Sequence, residues 1–245
     1  MTDTQHAEQE HLAAIERGEH AAHVDLADHY EEVGRYDDAE RHYLAAIQAG
    51  VPRAHNNYGY LLAERLDRPA DAEAEFRAAI AEGDTDNALT NLADLLRELG
   101  RHEEAVEQLR TAVAAGNADA HLPLGDVYDE MGRYAEGEGA YLAAIAAGVT
   151  AAHNNYGFLL SERLDRLDEA EVQYRLAIAA GDTEEALGTL AQLLEETGRT
   201  EEAEQHYRLA VAAGDEESRE YLIEMLEDLG RDDDADALRS ASSAD

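Results

Sequence analysis

Apolar residues in this chain recur on one face of a helix. Leu92, Leu95, Leu96 and Leu99 stand at i, i+3, i+4 and i+7, the spacing that aligns side chains at 3.6 residues per turn. The same periodicity runs through Ala-rich stretches such as 44–49 and 209–213, each of which ends at a glycine. Only 3 prolines interrupt the sequence and β-branched runs are missing, so strands have no support. The glycines set the period. Gly18, Gly50, Gly83, Gly116, Gly148, Gly181 and Gly214 are spaced by 32 or 33 residues. Gly34, Gly100, Gly132, Gly198 and Gly230 fall between them, each followed by Arg. A glycine just past the last periodic residue closes a helix by taking the left-handed conformation, so two series predict two helices per period.

A longer repeat lies on top of the short one. His55-Asn56-Asn57-Tyr58-Gly59 returns 98 residues later as His153-Asn154-Asn155-Tyr156-Gly157. Residues 35–132 set against 133–230 agree at 53 of 98 positions, which reads as the tandem duplication of a three-unit block. The irregularity repeats too: the tight Gly-Arg turn becomes Arg65-Leu66-Asp67-Arg68, and again Arg163-Leu164-Asp165-Arg166, one residue longer each time.

These positions resemble the tetratricopeptide repeats. The small and large residues match unit by unit: Leu26, Ala27, Tyr30, Gly34, Ala39, Tyr43 and Ala46, then Leu92, Ala93, Leu96, Gly100, Ala105, Leu109 and Ala112. Leu190, Ala191, Leu194, Gly198, Ala203, Tyr207 and Ala210 give a third example. Small residues let two helices of a hairpin approach, and large ones fill the gap to the next hairpin. A slightly short period, and Gly in place of the usual closing proline, lean toward the related Sel1-like repeats. The resemblance implies an all-α, right-handed solenoid of about seven helix-turn-helix repeats over residues 1–245, with the internal three-repeat duplication. Residues 1–18 are expected to form an N-terminal half repeat, 19–132 the first block, 133–230 the duplicated block, and 231–245 a C-terminal cap and tail. Ser240–Asp245 reads as a frayed end.

Charge narrows the function. The 56 Asp and Glu against 19 cations, all Arg, give a net charge of −37. Such a field repels phosphate backbones and anionic lipid, so neither nucleic acid nor a membrane is an expected partner. Absence of Cys excludes disulfides and thiolate chemistry. The first five residues lack the basic and apolar regions of a signal peptide, so a cytoplasmic location is expected. No glycine-rich phosphate loop, G-x-S-x-G or H-E-x-x-H is present, so no enzyme activity, cofactor or metal is expected.

The resemblance implies a scaffold whose first helices line a concave groove that binds a protein or peptide. On that register Arg53, Asn56, Asn57 and Tyr60 face the groove in one unit, Asn91 and Arg97 in the next, and Asn154, Asn155 and Phe158 in the repeated block. Asn57, Asn91 and Asn155 resemble the asparagine ladder in the repeats of O-linked N-acetylglucosamine transferase. An amide can pair with a peptide backbone, or instead tie one helix to the next. Tyr60 and Phe158 are candidate anchors on a polar face, or rings packed on the neighbouring helix. Asp28, Glu31, Glu32, Asp126, Asp129 and Glu130 suit a basic partner, although acidity pervades the whole chain as it does in proteins of salt-loving microbes. The lack of Lys argues against a clamp for acidic tails. Two similar sites one block apart would give a bivalent partner avidity. Self-assembly with a second copy, or regulation of an enzyme as an accessory subunit, are the alternative roles.

Three further groups read as structural. His23, His55, His121 and His153 share one repeated position, expected to pack against the previous hairpin, and their charging in acid is expected to loosen the array. Arg35, Arg68, Arg101, Arg133, Arg166, Arg199 and Arg231 sit near the ends of first helices, where a cation complements the dipole. Asp232-Asp233-Asp234 lacks the rest of a calcium loop and reads as a solvated turn.

Overall fold

The computed structural model describes residues 3–85, 87–183 and 185–242, and among these every regular element is a helix. The chain divides into two compact units, Met1–Ala120 and His121–Asp245. Unit 1 holds α1 (Asp3–Glu16), α2 (Ala22–Glu32), α3 (Tyr36–Gln48), α4 (Ala54–Glu64), α5 (Pro69–Glu82), α6 (Ala88–Glu98), α7 (His102–Ala114) and a 3-10 turn, Ala118–Ala120. Unit 2 holds α8 (His121–Glu130), α9 (Tyr134–Ala146), α10 (Ala152–Phe158), α11 (Leu167–Ala180), α12 (Ala186–Glu196), α13 (Thr200–Ala212), α14 (Glu216–Asp228) and α15 (Asp232–Ser242). A single π-helical turn, Leu159–Arg163, continues α10. In both units each helix packs on the next, α2 on α3 and α3 on α4, or α10 on α11 and α11 on α12. The contact boundary at 120/121 differs from the repeat-register boundary at 132/133.

The helices stop where the glycines fall. All twelve glycines of the two series have positive φ, from 69° at Gly50 to 102° at Gly214. In the two longer turns Asp67 and Asp165 take that conformation instead, at φ 51° and 54°. A short polar side chain is among the few that tolerate it. The packing positions named from the sequence are buried: Leu26, Ala27, Ala39, Tyr43 and Ala46 in unit 1, and Leu190, Ala191, Leu194, Ala203, Tyr207 and Ala210 in unit 2. Each buried Leu contributes about 1.5–3 kcal/mol. Where the first helix must approach closest, Ala gives way to Gly. A Cβ on Gly59 would stand 2.8 Å from the Phe76 ring, and one on Gly157 2.6 Å from Tyr174.

Hairpins are also joined by a repeated clasp. The turn arginines occupy the N-cap of the second helix rather than the tail of the first, as at Arg35 before α3 and Arg101 before α7. From there each guanidinium meets a carboxylate three residues on, and Arg35, Arg68, Arg101, Arg166, Arg199 and Arg231 meet another 27 or 28 residues back. Arg68 lies 2.7 Å from Asp71 and 2.6 Å from Glu40, and Arg166 lies 2.7 Å from both Glu169 and Glu138. Arg101–Glu73, Arg199–Glu171 and Arg231–Glu204 repeat the longer link at 2.7 Å, and Arg35–Glu8 at 3.1 Å. Tyr30, Tyr58 and Tyr156 donate to the same Glu8, Glu40 and Glu138. These hydrogen bonds, with the guanidinium beside them, hold the Glu40 and Glu138 carboxyls below their ordinary range. At Arg133 the pattern changes, because Ala105 stands 28 positions earlier; Arg133 pairs with Glu136 and lies 4.7 Å over the Tyr128 ring.

The repeated histidines gain specific partners. Three of them bond to the second helix of their own hairpin, a partner the spacing did not name. His55 Nδ1 is 2.5 Å from Glu75, His153 Nδ1 is 2.8 Å from Gln173, and His23 Nδ1 is 2.9 Å from His42 Nδ1. At the C-terminus α15 continues through Ser240 to Ser242, its hydroxyl–carbonyl bond at Ser240–Asp236 intact at 2.6 Å; residues 243–245 lie outside the described residues. Asp232–Asp234 form the first turn of α15, with Asp234 paired to Arg231 at 2.7 Å.

Candidate functional site

In unit 1, α4 lies between α2 and α6, and a groove of about 900 Å³ opens along these first helices. Asp28, Glu31 and Glu32 line it from α2; Asn56, Asn57 and Tyr60 from α4; Asn91 from α6; and Tyr43 from α3, with Arg65 and Asn87 beside them. The sequence spacing places these residues together because i, i+3 and i+4 share one helix face. Arg53 and Arg97 lie outside this lining. Arg53 adopts φ 65° at the start of α4 and is 2.6 Å from Asp25, while Arg97 is half-buried in the last turn of α6.

The asparagines are tied to one another. The Asn91 amide donates to Asn56 Oδ1 at 2.9 Å, Asn56 lies 3.5 Å from Asn57 Oδ1, and Asn57 donates to Asp28 Oδ1 at 3.1 Å. The Tyr43 hydroxyl closes the chain, donating to Asp28 at 2.6 Å. Polar bonds therefore cross from α6 to α4, α2 and α3. Burial and the adjacent carboxylates push the Tyr43 hydroxyl far above its ordinary range, so it stays a neutral donor. Of the two roles open to these amides, tying helices together is realised, and Asn56 is buried at 7 % exposure. An amide has two donors and an acceptor, so each keeps capacity beyond these bonds.

Glu31 is the unusual carboxylate. Burial raises its pKa above the ordinary range, against the hydrogen bond from Tyr43 and the attraction of Arg65. Arg65 stands 3.7 Å from it, beyond hydrogen-bond length. Tyr60 is 43 % exposed on the same groove.

Unit 2 carries part of this arrangement at positions 98 residues on. Asn155 and Tyr141 donate to Asp126 at 2.8 and 2.7 Å. Asn154, buried at 6 %, donates to Glu185 at 3.2 Å and accepts from Thr189 at 3.1 Å. Phe158 is 41 % exposed, and the Arg163 guanidinium lies 5.3 Å over its ring while Arg163 Nε is 3.2 Å from Asp129. Tyr43, Tyr36, Arg65 and Arg163 were missed as site residues from the sequence. The recurrence of Asp28 and Tyr43 as Asp126 and Tyr141 was the signal for one pair. Among the described residues no group of three or more His, Cys, Asp or Glu side chains is arranged to hold a metal ion. None of the helices there is long and apolar enough to cross a membrane.

Stacked helical hairpins with a polar groove along the first helices define a helical-repeat protein. Tetratricopeptide-repeat sequence profiles match residues 24–87 and 90–152, and a further one matches 184–213. The chain belongs to the tetratricopeptide-repeat family. No curated protein matches it. Among solved structures it is similar to MamA, at 23% identity over 67% of this chain and 93% of that one, with TM-score 0.54. It is also similar to a chain of the Cut9–Hcn1 hetero-tetramer of APC/C, at 14% identity over 91% of this chain and 46% of that one, TM-score 0.66. The C-terminal part of a repeat protein from Cytophaga hutchinsonii gives 13% identity, 91% and 95% coverage and TM-score 0.65. These likenesses are of fold.

Proposed function

We propose that this chain is a non-catalytic scaffold that holds a protein or peptide segment along the first-helix groove of unit 1. The observation that carries this reading is the groove itself: roughly peptide-sized, lined by hydrogen-bonding amides and carboxylates, with an exposed aromatic ring. Asn57 and Asn91 offer amides to a backbone, and Tyr60 offers a ring to an apolar or cationic side chain. Asp28, Glu31 and Glu32 favour a basic segment, and their field raises its rate of encounter. Asn154, Asn155 and Phe158 present similar groups on unit 2 as a second candidate surface. Arg53 and Arg97, outside the groove lining, take no direct part in this reading.

The test is a pull-down from the source cells at near-native salt, with wild type beside Tyr60→Ala/Phe158→Ala. A partner retained by wild type and lost by the double variant supports the groove. The same partner bound equally by both sinks it.

A further inference from the structure

The corner beside the unit 1 groove and its counterpart in unit 2 hold their arginines differently. In unit 2 the corner formed by Asp129 and Phe158 already holds a guanidinium. Arg163 Nε sits 3.2 Å from Asp129 Oδ1, and its charged carbon lies 5.3 Å over the Phe158 ring. That is the geometry in which a carboxylate and an aromatic face together recognise arginine. The matching corner of unit 1 is formed by Glu31 and Tyr60, 98 residues earlier in each case. Its own arginine, Arg65, reaches Glu31 only at 3.7 Å. Both Glu31 and Tyr60 line the 900 Å³ groove, and Glu32 adds a further negative charge at the same wall.

We propose that the Glu31–Tyr60 corner of unit 1 is a subsite for an arginine side chain of a bound peptide, and that Arg163 fills the corresponding corner of unit 2 as an internal substitute for that ligand. The inference rests on the groove reading above and adds its specificity. A planar guanidinium satisfies both walls at once, bonding in plane to the carboxylate and stacking on the ring; a lysine ammonium satisfies them less well. The raised Glu31 carboxyl is consistent with this: its partial burial outweighs the Tyr43 hydrogen bond and the Arg65 ion pair, so a closer guanidinium would favour its charged form. Removing Arg163 leaves Asp129, which is largely covered, without that cation, so unit 2 becomes competent for the same ligand.

The experiment is site-resolved NMR on the isotopically labelled full chain at about 0.15 M salt. The probe is a capped glycine peptide with two arginines, compared with its lysine and citrulline versions. In wild type the arginine peptide is expected to shift Tyr60 and the Asn57 amide and leave Phe158 and the Asn155 amide in place. Citrulline, with the shape but not the charge, is expected to shift neither set. Glu31→Gln is expected to weaken binding about tenfold, the loss of one charge-assisted contact. Arg163→Gln and Arg163→Met are each expected to switch on shifts at Phe158 and Asn155, with circular dichroism confirming that the variants fold. Equal responses to arginine and citrulline overturn the subsite. Folded Arg163 variants in which Phe158 stays silent overturn the substitution. If no arginine peptide binds while a pulled-down partner still depends on Tyr60, this inference falls and the groove reading stands; loss of the Tyr60 dependence removes both.

Discussion

The hairpin α4–α5 of unit 1 and the hairpin α10–α11 of unit 2 share their turn, their histidine, their two asparagines and their arginine clasp, yet they differ in detail. Phe76 in the first becomes Tyr174 in the second, and the added hydroxyl lies 3.1 Å from Ser161, where unit 1 has Ala63. In unit 1 α4 runs as a regular helix to Glu64; in unit 2 the same segment opens into a π-turn over Leu159–Arg163. That turn ends at the arginine that covers Phe158. Single widened turns of this kind are frequent at functional sites. The comparison teaches that repeated framework residues fix the hairpin, while a few exchanges at the groove edge change the path of the turn and where its arginine lies.

The largest expected effect tests the framework. Ala27 and Gly125 are equivalent positions, and a Cβ on Gly125 would fall inside van der Waals contact with the Tyr141 ring. Gly125→Ala should therefore destabilise unit 2 by about 1–3 kcal/mol through overpacking, against a helix-propensity gain of about 1 kcal/mol. Urea unfolding with hydrogen exchange on α8 and α9 measures it; net stabilisation would mean the ring has room. The clasps should behave alike in both halves. Glu40→Gln and Glu138→Gln are each expected to cost about 1 kcal/mol, because a carboxylate shared by a Tyr hydroxyl and an Arg loses its charge. Unequal losses would break the equivalence. Since both carboxyls titrate below their ordinary range when folded, their stabilisation is complete above that range and disappears as pH falls through the lowered values.

Acid should separate the halves at the histidines. His23 and His42 share a 2.9 Å contact that needs at least one neutral ring, and burial lowers the pKa of both. For a base with a lowered folded pKa, stability is present above the unfolded value and is lost as pH falls toward the folded one. The unit 2 counterparts are His121 and Ala140, so no second ring is there to charge. Between about pH 7 and about pH 5, hydrogen exchange should speed up in α2 and α3 more than in α8 and α9. His42→Ala should erase that difference, and a uniform response in both pairs would contradict it. The smallest effect belongs to the π-turn. Ser161→Ala with Tyr174→Phe recreates the unit 1 residues and should cost less than about 1 kcal/mol while drawing Leu159–Arg163 toward regular helix. A crystal structure that keeps the π-turn would show that these two hydroxyls do not hold it open.

The hairpins were legible in the sequence because each rests on local chemistry. Every glycine of the two series closes a helix with positive φ, and every named Ala, Leu and Tyr packing position is buried. Groove residues were legible as a set because the family resemblance assigns that face to the groove, and helical spacing puts Asn56, Asn57 and Tyr60 on it. Their roles were not. Whether Asn57 faces a ligand or ties to Asp28 depends on a neighbour 29 residues away, and spacing within one helix carries no information about that distance. The turn arginines show the same limit: position predicted a cation at a helix end, but the partner Glu40 of Arg68 comes from the preceding hairpin.

Sequence by itself determined the helix boundaries, the two-helix period and which positions are small or large, because backbone conformation and burial periodicity are local properties of the chain. Tertiary structure alone decided which carboxylate each arginine and tyrosine meets, which asparagines are spent between helices, and that Arg163 rather than Arg65 lies against its aromatic ring. Those choices depend on side chains brought together from distant parts of the sequence, and only packing sets them.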